Sequence, residues 1–169
     1  MKIAMIVAMD ESGFIGKDGS LPWRMSSDLR RFKDLTLGDG FNAVVMGRKT
    51  WDSLPGQYRP LPDRTNIVMS RDSSLQIDGA EVALYDGRAV EIGYSEGCDE
   101  LWVIGGAEIY ELMIQRCEEI HVTTVHTSVE GDARFPDWDR SQWAEDVIEE
   151  NAASEHDEYA STYSIWRRI

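Results

Sequence analysis

The chain has 169 residues, 42% of them hydrophobic and 28% charged; that is room for one compact domain whose core needs no staples, and it excludes a largely disordered chain. Its 17 Lys and Arg stand against 31 Asp and Glu, a net charge of −14. Such a charge opposes nonspecific binding to nucleic acid or to an anionic membrane surface, so an anion site has to be built from local Arg, Lys or helix N-termini.

Ile3–Ala8 is a short apolar run that meets Asp10 and Glu11. It is too short to span a membrane and no cleavage signal follows, so it reads as a buried strand of a cytoplasmic protein. Gly13, Gly16 and Gly19 space a loop that closes at Leu21-Pro22-Trp23. Ser26 or Ser27 then caps a helix over 28–37, with Leu29, Phe32 and Leu35 as its apolar stripe and Arg30, Arg31, Lys33 and Asp34 facing away. Strands follow at Ala43–Met46, Thr65–Met69, Glu81–Tyr85, Leu101–Ile104 and Ile120–Val125, and helices near 50–54, 87–94 and 107–114. Several strands are continuously apolar, which suits strands covered on both faces, and the alternation of strand with helix favours a mainly parallel sheet. Beyond Pro136 the pattern changes: Trp138, Trp143, Tyr159, Tyr163 and Trp166 sit among acidic residues with little helical period. The expected fold is α/β, one domain over 1–169, with a central twisted sheet, an antiparallel C-terminal hairpin at its edge and helices on both faces.

Cys98 and Cys117 have neither metal nor redox spacing, and His121, His126 and His156 are scattered. Reduced thiols and no metal are expected.

Four constellations could carry chemistry. Asp28 lies along the apolar edge of the first helix, four residues before Phe32. It reads either as a first-turn acid favoured by the helix dipole, which spacing alone favours, or as a carboxylate lowered into a cleft to bind an amidine-like group and handle a proton. Two strand-to-helix junctions, Gly47-Arg48-Lys49-Thr50 and Gly105-Gly106-Ala107-Glu108, allow close approach of a ligand to the backbone. Neither is a GxGxxG or Walker sequence, but two in one small sheet suggest two phosphate cradles, as for a dinucleotide. Arg48, Lys49 and Ser70-Arg71 follow strands, where α/β sheets bind ligands, and are either solvated or a 2′-phosphate clamp. Arg64, after Arg59-Pro60-Leu61-Pro62, ends either a rigid solvent loop or a carboxylate clamp.

Taken together these segments resemble dihydrofolate reductase. The match is carried by Ile15-Gly16 with Leu21-Pro22-Trp23, Asp28-Leu29 with Phe32, Met46 to Trp51, Arg59 to Pro62 with Arg64 and Asn66, Ile104-Gly105-Gly106 with Tyr110, and Glu130-Gly131-Asp132 with Phe135-Pro136. Each is modest alone; their order over the chain is specific. The resemblance implies reduction of 7,8-dihydrofolate to tetrahydrofolate by NADPH, serving one-carbon metabolism. Hydride passes to substrate C6 and N5 gains a proton. It implies that Asp28 holds the pterin N3 and 2-amino group, that Thr123 supports Asp28, and that Trp23, with Leu21, belongs to the catalytic surroundings through an ordered water. Ile6, Val7, Phe32, Leu54, Arg59, Ile104 and Tyr110 match the substrate pocket, and Arg64 the clamp on the glutamate tail. For NADPH, Ala8, Ile15, Gly16, Gly19, Ser20 and Leu21 match the nicotinamide-side loop. Gly47, Arg48, Lys49 and Thr50, and Gly105, Gly106, Ala107, Glu108, Ile109 and Tyr110, match the pyrophosphate cradles, and Arg48, Met69, Ser70 and Arg71 the 2′-phosphate site. A cis Gly105–Gly106 bond is implied too, as is a monomer whose partners are its substrate and antifolate inhibitors, with no nucleic acid or membrane.

The sequence departs from the family pattern in places. Ala107 stands third in the glycine run, Glu108 stands where some members carry a cofactor-facing arginine, and Leu21 stands where some carry methionine. The acidic stretch 145–158 matches no family feature. Two other readings compete: a reductase of another pyrimidine or pterin-like ring on the same fold, and a non-catalytic dinucleotide-binding or acidic interaction module. The first need not keep Asp28 or Arg64, and the second would show a damaged pocket.

Overall fold

The computed structural model describes residues 1–17 and 19–169. The chain runs β1 (Lys2–Asp10), β2 (Phe14–Gly16), α1 (Ser26–Leu37), β3 (Ala43–Gly47), α2 (Arg48–Ser53), β4 (Thr65–Met69), β5 (Glu81–Ala83), α3 (Asp86–Ser95), β6 (Glu100–Gly105), α4 (Ala107–Met113), β7 (Glu119–Val125), β8 (Ala133–Arg134), β9 (Trp143–Asn151) and β10 (Ser161–Arg168). Eight strands form one sheet in the order β5-β4-β3-β6-β1-β7-β10-β9, and β2 pairs with β8. The pairs from β5 to β7 are parallel, whereas β10 is antiparallel to both β7 and β9. The expected parallel sheet and its antiparallel C-terminal hairpin are both present.

The continuous apolar runs are explained by cover on both faces. Along β1, Ile3, Met5, Val7 and Met9 join a core with Ala89 and Ile92 of α3 and Ile109 and Met113 of α4. Ala4, between them, belongs to the opposite core with Trp51 of α2, against which Phe32 and Leu35 of α1 pack. Period-two alternation thus serves two apolar layers rather than one apolar and one wet face.

Several expectations need correction. The strand expected over Glu81–Tyr85 ends at Ala83, because its register with β4 ends there at Met69, and Leu84 and Tyr85 turn outward. Leu29 is 55% exposed and is not part of the α1 stripe. Neither Ser26 nor Ser27 caps α1: Met25 stands at the cap position, bridged to Asp157, whose carboxylate accepts the Ser27 N–H at 3.0 Å. The acidic stretch therefore supplies a helix cap from the far end of the chain. Four more of its acids, Glu145, Asp146, Glu149 and Glu150, lie on the exposed edge strand β9, where charge disfavours pairing with another chain. Of the C-terminal aromatic residues, the three tryptophans form a cluster with Phe135, in which the ring of Trp138 meets those of Phe135, Trp143 and Trp166 at 6.2, 5.7 and 5.0 Å, whereas Tyr159 packs beside Trp23 and Tyr163 beside Arg31.

Candidate active site

The parallel strands deliver their carboxyl ends to one edge of the sheet. There the β1–β6 ladder stops at the Met5–Val103 pair. Beyond it, the Tyr110 hydroxyl lies 2.8 Å from the carbonyl of Ile6 and 3.0 Å from that of Ile104, and bridges the parting strands. Burial pushes the pKa of that phenol far up, so it stays a donor. The point where neighbouring strands separate is where open α/β sheets take ligands.

Asp28 sits in the first turn of α1. Its carboxylate accepts a 2.6 Å hydrogen bond from Thr123 Oγ1 of β7 and lies 3.5 Å from Arg31 Nη1. Burial raises its pKa above the ordinary carboxylate value, against the Thr123 bond and the Arg31 charge, and the charge of Asp157 adds to the rise. Asp28 is thus held by side chains of its own helix and of β7 rather than solvated as a free helix-start acid.

Ile6, Phe32, Leu54 and Ile104, named for the apolar wall, pack partly buried on one side of the core. Val7 is a correction: its side chain is 4% exposed and lies in the core of the opposite face, because it follows Ile6 on the strand. Trp23 is buried with Met25 and Val125, and Ala8 packs against them. Leu21 is 51% exposed. Arg64 is half-buried and donates to Thr36 Oγ1 of α1 and to the Pro62 carbonyl, both at 2.9 Å. Burial lowers its pKa, opposed by the charge of Asp63. Arg59 is exposed and donates instead to the Asp52 carbonyl at 3.2 Å, at the end of α2.

The two glycine junctions adjoin, since Met46 pairs with Gly105. A Cβ on Gly47 would sit 3.1 Å from Ile109 Cγ1, and one on Gly106 would face Thr50 Oγ1 at 3.7 Å. Gly105 has φ +116°, and a Cβ there would sit 3.1 Å from the Tyr110 ring and hydroxyl; its bond to Gly106 is cis. Ala107 is the first residue of α4, where any residue fits. Neither α2 nor α4 has a side-chain cap on its first turn. Gly47 pairs with Met69, so Arg48 and Ser70-Arg71 leave neighbouring strands at the same level. Arg48, Lys49, Arg71 and Glu108 are exposed, and Arg48 lies 3.5 Å from Asp52. On the other side, Ile15 packs against the core and Gly16 pairs with Ala133, while Gly19 and Ser20 are exposed.

Sequence reasoning missed several residues. Asp10 is buried and accepts the N–H groups of Ser12, Phe14 and Val129 at 2.9, 2.8 and 2.9 Å, which ties the glycine loop to the segment before β8. Gly131 lies so close beneath this loop that a Cβ would sit 2.7 Å from Phe14 Cδ1 and 2.9 Å from the Gly16 carbonyl oxygen. Arg31, expected in solvent, turns back to Asp28; the i,i+3 spacing was the available signal. Nothing in the sequence pointed to Glu149 or Tyr163, which hold Arg31 from two other strands.

The family model for dihydrofolate reductase matches residues 2–168. The chain belongs to the dihydrofolate reductase family. It is 35% identical over 171 residues to the dihydrofolate reductase of Staphylococcus haemolyticus, covering 100% of this chain and 97% of that one. To that of Neisseria meningitidis serogroup A it is 40% identical over 166 residues, 98% of each chain. The dihydrofolate reductase of Enterococcus faecalis, solved in complex with NADP(H) and RAB-propyl, superposes with a TM-score of 0.84 at 34% identity, covering 99% of this chain and 96% of that one. Against this dihydrofolate reductase fold, Asp28, Thr123, Tyr110 and the two glycine junctions stand at one edge of the sheet. Among the described residues no helix is long and apolar enough to cross a membrane, and no group of His, Cys, Asp or Glu is placed to hold a metal.

Proposed function

We propose that Asp28 is the acid on which this chain's reaction rests, the reduction of dihydrofolate by NADPH that is the activity of its family. The observation that carries this reading is the pair Asp28–Thr123. A half-buried carboxylate, on the helix that also carries Phe32, is held at 2.6 Å by a hydroxyl of a neighbouring strand; Phe32, with Ile6, Leu54 and Ile104, is only partly buried on that side of the core. An ionised carboxylate so held pairs with the amidine-like N3 and 2-amino edge of a pterin, and the pairing favours the form protonated at N5. Asp28 need not touch N5 to do so; a water near Trp23 and Leu21 completes the route. Arg64, braced by Thr36 and the Pro62 carbonyl, presents a fork for the glutamate carboxylate.

NADPH supplies the hydride when bound. The residues fit it: Gly47 and Gly105 let their strands approach Ile109 and Tyr110 of α4 closely, which sets the two junctions side by side, and the first turns of α2 and α4 have no side-chain caps. Arg48, Ser70 and Arg71 are at hand for a 2′-phosphate, and Glu108 is exposed beside the second junction, where it favours no phosphate contact. The free thiols of Cys98 and Cys117 support a reducing, cytoplasmic setting. The reading takes 1–169 as one domain acting as a monomer, with antifolates competing for the substrate pocket.

The deciding experiment follows NADPH oxidation with dihydrofolate for the chain and for Asp28→Asn. The variant should lose orders of magnitude in turnover at neutral pH, keep NADPH binding, and recover as pH falls and solution protonates N5. Turnover near that of the unaltered chain at neutral pH would remove Asp28 from the mechanism.

A further inference from the structure

Arg31 stands one turn after Asp28, and only 16% of its side chain is exposed. Three groups hold it. Its Nη1 lies 3.5 Å from Asp28 Oδ1, its Nη2 donates to Glu149 Oε2 at 2.8 Å, and its guanidinium stacks 4.1 Å over the ring of Tyr163. Tyr163 is fixed in turn, with its hydroxyl 2.6 Å from His121 Nδ1. It is also the cross-strand partner of Thr123, the residue whose hydroxyl holds Asp28. Asp28, Arg31, Tyr163 and Thr123 thus close a ring in which β7 fixes the carboxylate and β10 the cation beside it.

We infer that Arg31 is a positioning residue for the reduction: clamped between Glu149 and the Tyr163 ring, it orients the Asp28 carboxylate and biases it towards the ionised form, and Glu149 on the edge strand sets how much of that positive charge the site feels. The inference rests on the reading of Asp28 given above. Arginine suits the place better than lysine, because one planar group both stacks on a ring and spans two carboxylates.

Asp28 is faced by Arg31 from its own helix, by Asp157 from the segment before β10, by the phenols of Tyr110 on α4 and Tyr163 on β10, and by the uncharged Thr123 on β7. Burial keeps both phenols protonated and lowers the pKa of His121 behind Tyr163, so none of the three adds charge near neutral pH. Arg31 is the cation of the set. It is faced by Asp28, Glu149 and Asp157. Removing it must raise the proton affinity of Asp28, whereas neutralising Glu149 leaves its charge less compensated and must lower that affinity.

The test is kcat/KM for dihydrofolate against pH, for the unaltered chain, Arg31→Met, Arg31→Lys, Glu149→Gln and Asp28→Asn. The falling limb should move up by about one pH unit in Arg31→Met, while the plateau below it drops several-fold because the carboxylate is no longer oriented. It should move down by less in Glu149→Gln, and Arg31→Lys should lie between Arg31→Met and the unaltered chain. Opposite shifts for the two partners of one ion pair are what loosened packing would not produce. Glu149 is half-exposed on an edge strand, so Glu149→Gln folds even where Arg31→Met does not, and its downward shift supports the inference by itself. Unmoved limbs in both variants, with Asp28→Asn inactive, would overturn the role of Arg31 and leave Asp28 in place. An active Asp28→Asn would overturn both.

Discussion

The carboxylate of Asp157 accepts the backbone N–H of Ser27, 130 residues earlier in the chain, at 3.0 Å. The helix that carries Asp28 is therefore capped from the C-terminal segment. Asp157→Ala should lower the unfolding free energy by about 1 kcal/mol, and Asp157→Asn by much less, because asparagine caps nearly as well. Urea unfolding measures both. The bonds from Ser27 hold the Asp157 pKa below its ordinary value. Its contribution is thus present above the unfolded carboxylate pKa and lost as pH falls through the lowered folded value. Asp157→Ala should flatten that acid limb of the stability curve, and an unchanged limb would assign the cap no part in it.

Asp28 carries the opposite sign. Burial raises its folded pKa above the unfolded value. Stability associated with it is present below the unfolded pKa and is lost as pH rises through the folded one. Asp28→Asn should therefore melt at a higher temperature than the unaltered chain at neutral pH while turning over far less substrate. The difference should vanish in acid below the unfolded carboxylate pKa. Thermal unfolding across pH checks this, and equal melting temperatures at neutral pH would mean that the buried charge costs the fold nothing.

Arg48 and Arg71 bear on cofactor choice. Each charge-assisted bond to a 2′-phosphate is worth about 1.5–3 kcal/mol where water is excluded, and less at side chains as exposed as these. Replacing both with alanine should erode the preference for NADPH over NADH while NADH binding changes little. Titration of both cofactors by fluorescence distinguishes this from an equal loss for the two, which would reject the clamp.

Arg64 is braced by Thr36 and the Pro62 carbonyl, so its fork is held before any ligand arrives. Arg64→Lys keeps the charge and loses the fork. KM for dihydrofolate should rise several-fold, and that for a pterin without the glutamate tail should stay near its original value. Matching rises would count against the carboxylate contact.

The succession of strands and helices along the chain, the hairpin after them and both glycine junctions were legible in the sequence, because they rest on local physics, whereas the order of the strands in the sheet was not. Continuous apolar runs require cover on two faces, and glycine between strand and helix marks a close backbone approach. Asp28 itself was not decided at that level. Its spacing on α1 suits a dipole-stabilised acid equally well, and only the arrival of Thr123, 95 residues on, turns it into a held, desolvated carboxylate. Val7 shows how narrow local reasoning is: one step along β1 separates Ile6 on one side of the sheet from the core on the other. Arg31 looked like a solvated cation because its two remote partners, Glu149 and Tyr163, lie on strands whose register no local pattern encodes. The cap from Asp157 was hidden for the same reason. Periodicity and turn chemistry report which way a chain can go, whereas the proton affinity and orientation of a side chain depend on groups that only the closed sheet brings within hydrogen-bonding distance.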